Sequence, residues 1–415
     1  MNVIREFDIG SYKMSRGVLL TPALTCLFLL NPVIGLIVTY CMVALSNQDS
    51  SLTRHLTKFY CIAIALFLGA VNASKVPEND LVWYFYGYLD AGKFDFLDYI
   101  YRFGINGQGR ELFFPTINFF LYRLIGPNTD LYIMVVTAFY YGLINLSIYR
   151  MCRALQQPPI VAATAALVFG LAPNLFSLSA LLLRQNVAFA IVVFIIIEKL
   201  FYGKNRYVLM GLAVLTHASS LFFILLCLAP GISKRISIKS FPIFLIVAGL
   251  ILNYQAMATV ASGLFSGDNV ISYALMRASI GTNYELPPLR LDQIAFNIAL
   301  VIALMGTIYV IKPEYKKSQG LVALSNIILV TLIFIVSNLD YSELSVRFNF
   351  YYLTLFPAVV AVALSTLRVS LIAHAFIFAQ PVLFWIFIRG LYLSMWSYDA
   401  KAEILYWPFF LYFSG

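Results

Sequence analysis

Charge is what this sequence has least of. Asp, Glu, Lys and Arg together make up 11% of its 415 residues, where a soluble chain carries about a quarter. The hydrophobic share is 61%. That balance excludes an ordinary soluble domain and points to an integral membrane protein of many spans. The apolar runs are too long for barrel strands, and a backbone in lipid must satisfy its own hydrogen bonds, so the spans are helices. Histidine is scarce (three residues) and cysteine nearly so (five). Cys26, Cys41, Cys61, Cys152 and Cys227 lie in apolar runs or just beyond one in a basic loop, without CxxC or Cys/His spacing. That pattern argues against disulfide staples and zinc sites. Internal repeats, heptads and low-complexity segments are also missing. The expectation is an all-α polytopic membrane protein, one membrane domain over residues 1–415 without a soluble appendage, with roughly 10–13 transmembrane or re-entrant helices.

What charge there is carries topology. The net charge is +9, but the basic residues are scattered through short loops, which speaks against nucleic-acid binding. Lys and Arg in short loops mark the cytoplasmic side. Such loops are MCRALQQ after Arg150, YGKNRY at 202–207, ISKRISIK at 232–239 and KPEYKK at 312–317, with weaker support at Arg368 and at Arg54/Lys58. Arg5, Lys13 and Arg16 favour the same side. The apolar stretch after Arg16 runs through Asn31-Pro32 to Leu45 without a small-x-small cleavage site, so it reads as retained helix, folded as a short hairpin. Spans are expected near 59–71, 131–149, 159–175, 187–201, 241–261, 292–311, 321–337, 349–366 and 369–388. Loops 72–111, 176–184, 262–291 and 338–348, with the tail from Arg389, then fall outside.

Two segments are too short for this scheme. Between Arg206 and Lys234, both on basic loops, the apolar stretch is too long for a loop and too short for two crossings of about 20 residues each. A pair of short helices turning near LTHASS resolves this and puts His217 at the apex, where only protein or a water-filled cavity tolerates non-helical backbone. Likewise LFFPTINFFLYRLIG at 112–126 starts and ends outside and reads as interfacial or re-entrant.

The outer side collects Asp80, Glu111, Arg277, Arg290, Asp340, Glu343 and Arg347 among many Tyr and Trp residues. Aromatic rings there anchor the membrane interface. Mixed with carboxylates and guanidinia they also suit sugars, rings stacking on apolar faces and charges binding hydroxyls. Arg184, followed by Gln185, opens a helix on this side. It either snorkels to the interface or clamps an anion with its planar, permanently charged donors. His217 is a hydrogen-bonded structural residue, or a base or phosphate donor. Glu111 can simply start a helix, and Glu343 and Arg347 are spaced as a helical ion pair.

The order of these elements resembles the O-antigen polymerases (Wzy), in their EpsG-like branch. The acidic-aromatic element is NDLVWYFYGYLD, and the Glu-then-apolar/Pro element is RELFFPTINFFLYRLIG. The Arg-Gln element is LLLRQNVAFAI, the His-x-Ser element THASSLFFI, and the late arginine with its aromatic helix SVRFNFYY, the set spanning roughly 80–360. One departure stands out: the family's acidic element reads Glu-Pro, whereas here Leu-Phe-Phe separates Glu111 from Pro115.

The resemblance implies a GT-C-like glycan polymerase working without metal or other cofactor at the periplasmic face of a bacterial inner membrane. It would join undecaprenyl diphosphate-linked repeat units, a donor and an acceptor drawn from the bilayer, with a chain-length regulator and a flippase as candidate partners. Arg184, His217, Asp80 and Glu111 would be catalytic. Tyr84, Gln185, Arg277, Arg290, Asp340, Glu343 and Arg347 would bind substrate. Competing readings are an O-antigen ligase or other GT-C-like glycosyltransferase, and a lipid-linked oligosaccharide transporter. The external loops are several and modest rather than one dominant loop, which favours polymerase over ligase. A transporter would show inverted repeats, and none is visible.

Overall fold

The computed structural model describes residues 16–46, 50–106, 111–235, 247–249, 252–253, 288–394, 397–399 and 402–413. Its described residues form an all-helical, polytopic membrane protein. Among the described residues seven helices are long and apolar enough to cross a membrane, an eighth if one bent pair is a single span, and four shorter apolar helices accompany them.

The chain starts with α1 (Arg16–Leu30) and α2 (Pro32–Leu45), broken where sequence reading placed the break: Asn31 caps α2 through the Ile34 N–H, and Pro32 occupies the first turn. The central pair is α3 (Ser51–Ala73) and α7 (Thr129–Ala154). They approach so closely that a Cβ on Gly69 would sit 2.5 Å from the Met134 carbonyl, the small-residue contact that replaces hydrophobic drive between helices in lipid. Asn145 of α7 donates to the Cys61 carbonyl across the same contact at 3.1 Å. Residues 72–111, expected as an external loop, include the helices α4 (Asp80–Asp90) and α5 (Phe96–Tyr99). A short amphipathic-length helix follows as α6 (Phe113–Ile125), in the segment read as interfacial.

The span expected at 159–175 is bent by 69° between α8 (Pro159–Gly170) and α9 (Pro173–Ser179). Pro173 explains the break, because proline withholds the N–H that would continue the ladder. Next comes α10 (Leu183–Tyr202), ended by Gly203 at φ +67, a left-handed cap that glycine adopts without strain. The two short helices expected around LTHASS are α11 (Tyr207–Thr216) and α12 (Ser220–Leu228). Most of the span expected at 241–261, and residues 262–287 of the loop expected at 262–291, lie outside the described residues.

The later helices are α13 (Leu291–Gly306), α14 (Gln319–Ser337), α15 (Ser342–Thr354), α16 (Phe356–Leu364) and α17 (Val369–Leu393). Span Gln319–Ser337 is 89% buried against 33% for Leu291–Ile311 and Val369–Leu393, so α14 is interior and α13 and α17 are peripheral. Two boundaries are corrected. The loop placed at 338–348 gives way to α15 at Ser342, and Arg389 lies inside α17 rather than in a tail.

The two ends of α10 differ in chemistry. Near its C-terminus Glu198, fully buried, is held from two sides: Arg150 Nε donates to Oε1 at 2.7 Å and Arg206 Nη2 to Oε2 at 2.6 Å. Tyr202 Oη donates to the Arg150 carbonyl at 2.8 Å, so α7 and α10 end together on this basic side. Arg184 stands about 21 Å away along the helix axis, at the other end.

Candidate functional site

The N-terminus of α10 carries no side-chain cap, and the helix dipole places partial positive charge at that end. Arg184 is the second residue of that turn. Its Nη1 donates to Glu111 Oε2 at 2.9 Å and its Nε to Tyr84 Oη at 3.4 Å, while the guanidinium lies 5.8 Å over the Tyr84 ring. Tyr84 comes from α4, where it packs edge-on against Phe114 of α6. The arginine is one-third exposed, which leaves part of its donor fork available.

Glu111 precedes α6, and the next residue fixes its position: the Leu112 N–H donates to the Leu215 carbonyl of α11 at 3.0 Å. That link brings the carboxylate beside the α11–α12 turn, where its Oε1 faces His217 Nε2 at 3.8 Å. The Leu-Phe-Phe insertion before Pro115 therefore does not displace Glu111 from the site. Burial pushes the carboxyl up to about 7. Arg184, the Ala218 backbone N–H and Arg347 pull it down without cancelling that effect.

His217 is the C-cap of α11, in extended conformation at φ −159 and ψ 124. Its Nδ1 sits 2.6 Å from Ser219 Oγ and accepts the Ser219 backbone N–H at 3.3 Å. Ser219 Oγ is 2.7 Å from Tyr351 Oη, which is itself 3.4 Å from His217 Nδ1. Tyr351 belongs to α15 and is buried in an aromatic wall, stacked on Phe189 at 4.8 Å. Arg347, one turn earlier on α15, lies close enough to act electrostatically on Glu111, His217 and Tyr351.

Five elements thus bring Tyr84, Glu111, Arg184, His217 and Arg347 to one place. Gln185 is buried behind them, its Oε1 without a hydrogen-bond partner among the described residues. Asp80 opens α4 one turn before Tyr84 and is exposed, with an electrostatic influence on Arg184. Arg290 caps α13 and pairs with Asp292 at 2.7 Å in an exposed contact. Asp340 is exposed in the turn before α15. Glu343 lies on α15, and its side chain, like all of Arg277, lies outside the described residues. Ser219 was read from sequence only as the serine of the His-x-Ser element, without a role, and Tyr351 was not singled out. The hydroxyl two residues after His217 was a usable signal; Tyr351, 134 residues away, gave none. Among the described residues no group of three or more His, Cys, Asp or Glu is placed to hold a metal ion.

No curated protein and no solved structure matches the chain. A family model does, over residues 57–411, a stretch that contains every residue of the cluster above. The chain belongs to the EpsG family, within the Wzy-type polymerase group of membrane glycosyltransferases.

Proposed function

We propose that this chain polymerises undecaprenyl diphosphate-linked oligosaccharide repeat units into a polysaccharide. The observation that carries the reading is the Arg184–Glu111 pair at 2.9 Å, a permanent cation and a buried carboxylate at one membrane-helix end, beside a turn. A hydroxyl on the non-reducing end of the incoming unit attacks the anomeric carbon of the growing chain. The bond from that carbon to the diphosphate oxygen breaks, and undecaprenyl diphosphate leaves with the electron pair. The hydroxyl proton passes to Glu111, whose raised affinity for protons suits a base at neutral pH. Arg184, helped by the dipole at the α10 N-terminus, stabilises the charge growing on the leaving diphosphate. Tyr84 and Arg347 border the glycan path, with Asp80, Gln185, Arg277, Arg290, Asp340 and Glu343 as further substrate contacts.

The basic loops gather at the Glu198 end of α10, which supports a cytoplasmic location for that end and a periplasmic one for the site. In this reading lipid-linked substrates enter sideways from the bilayer, past the short α6, α11 and α12. Reconstitution with purified lipid-linked repeat units tests the proposal: a ladder of longer glycans is expected. Movement of the intact unit across the vesicle without a ladder would return the chain to the transporter reading.

A further inference from the structure

The histidine at the turn faces the site with one nitrogen and its own turn with the other, and the two nitrogens are not equivalent. A backbone N–H cannot accept a hydrogen bond. The Ser219 N–H, aimed at His217 Nδ1 from 3.3 Å, therefore requires a lone pair on Nδ1. A neutral imidazole carries its single proton on the other nitrogen. His217 is neutral, its pKa held down to about 3 by burial first and then by Arg184 and Arg347. Nε2 consequently bears the proton, and Nε2 is the atom turned toward Glu111 Oε1 at 3.8 Å.

The surrounding hydroxyls complete a one-way chain. With Nδ1 an acceptor, the Ser219 hydroxyl donates to it across 2.6 Å. Ser219 Oγ is then free to accept from the Tyr351 hydroxyl at 2.7 Å. Tyr351 cannot turn away, because its ring is stacked on Phe189 and wedged against Phe223 and Phe348. Every donor in the series points from α15 through the turn to the site, and none points back.

We infer that Ser219 and Tyr351 are positioning residues that lock His217 in its Nε2–H tautomer, so that the histidine offers the site a hydrogen-bond donor and never a base. The tautomer rests on the hydrogen-bond geometry of the turn and on a neutral ring; its catalytic consequence rests on the proposed polymerase reading. In that reading the donor's target is an anionic oxygen, on the leaving diphosphate beside Arg184. The gap of 3.8 Å to Glu111 is too long for a hydrogen bond, so this proton has no acceptor in the described protein and is available to substrate. Proton acceptance falls to Glu111 by itself.

The test uses the full chain labelled with 15N-histidine in lipid nanodiscs. Three histidines are present, and comparison with His217→Asn assigns the signal of interest. The expected spectrum shows His217 as a single Nε2–H tautomer that does not titrate between pH 5 and about 8. A dominant Nδ1–H form, or protonation within that range, overturns the inference whatever the activity. Ser219→Ala and Tyr351→Phe should convert the single tautomer into a mixture and lower kcat about 3- to 30-fold with KM for the lipid-linked unit nearly unchanged. An unmixed tautomer in both variants overturns the lock. A glutamine amide places its N–H2 where Nε2–H was, whereas an asparagine mimics Nδ1. His217→Gln should therefore keep at least about tenfold more activity than His217→Asn; equal loss in both overturns the donor role. A correct tautomer in a protein that makes no glycan ladder would leave the lock standing and remove the polymerase reading instead.

Discussion

Arg184 and Glu111 lie 73 positions apart in sequence and meet at 2.9 Å, one from the start of a membrane helix and the other two residues before the short α6. Neither side chain is comfortable there without the other. A buried carboxylate lacking its cation, or the reverse, costs about 3–5 kcal/mol. The pair leaves the guanidinium one-third exposed, with Tyr84 taking a further contact through its hydroxyl and ring.

Arg184→Lys keeps the charge but loses the planar fork. The variant should insert and remain folded, with kcat lowered about 10²-fold or more, the scale of losing one donor at a developing oxyanion. Steady-state polymerisation with purified lipid-linked units checks this, and unchanged turnover would return Arg184 to the snorkelling reading.

Glu111→Gln removes the proton sink while keeping the shape. It should abolish most polymerisation, about 10²- to 10⁴-fold, and leave binding of the lipid-linked unit within a few fold. Binding can be read by equilibrium titration in nanodiscs. Loss of binding with an unaltered rate at saturation would make Glu111 a contact rather than a base.

The pH dependence follows from the raised carboxyl. The carboxylate is the active form, so kcat should rise with pH through about 7 and level off above it. His217 stays neutral over this range and adds no second inflection. The sign for stability is opposite. Glu111 binds its proton more tightly folded than unfolded, so its contribution is fully present below about 4.5 and is lost as pH rises through about 7. The rate profile of wild type against Glu111→Gln decides the matter; an unshifted rising limb in the variant would assign the limb to another group.

At the far end of α10, the fully buried Glu198 depends on two arginines that reach water. Replacing both, Arg150→Met with Arg206→Met, strands a buried carboxylate and should cost about 3 kcal/mol. Glu198→Gln should cost less, because both arginines are then free to hydrate. Thermal unfolding in detergent would show the double variant melting below the glutamine variant, and the reverse order would mean that the triplet is not what holds α7 and α10 together.

The spans were legible because lipid imposes one simple rule, a long apolar helix with cations at one end. The α11–α12 turn was legible for the same reason: the stretch between Arg206 and Lys234 was the wrong length for any whole number of crossings. Arg184, Glu111, His217, Tyr84 and Arg347 were picked out by side of membrane. Glu198 was not found, since a lone acid in IIIEKLFY offers no sign that Arg150 will meet it. Tyr351 was invisible for a related reason: it contacts the turn through α15, and one tyrosine among the several in FNFYY is marked only by the partner it touches. The helices inside 72–111 were missed because polar, aromatic sequence outside the membrane lacks the hydropathy signal that marks spans.

The central question is whether this protein itself joins lipid-linked units through Arg184 and Glu111. Purified wild-type protein in liposomes, given only undecaprenyl diphosphate-linked repeat units, should produce a ladder of lengthening glycans and release undecaprenyl diphosphate in step with each new linkage. Glu111→Gln and Arg184→Lys, inserted to the same level, should produce almost none. Wild-type protein that carries the unit across the membrane unchanged, or variants that extend the ladder at the wild-type rate, would contradict it.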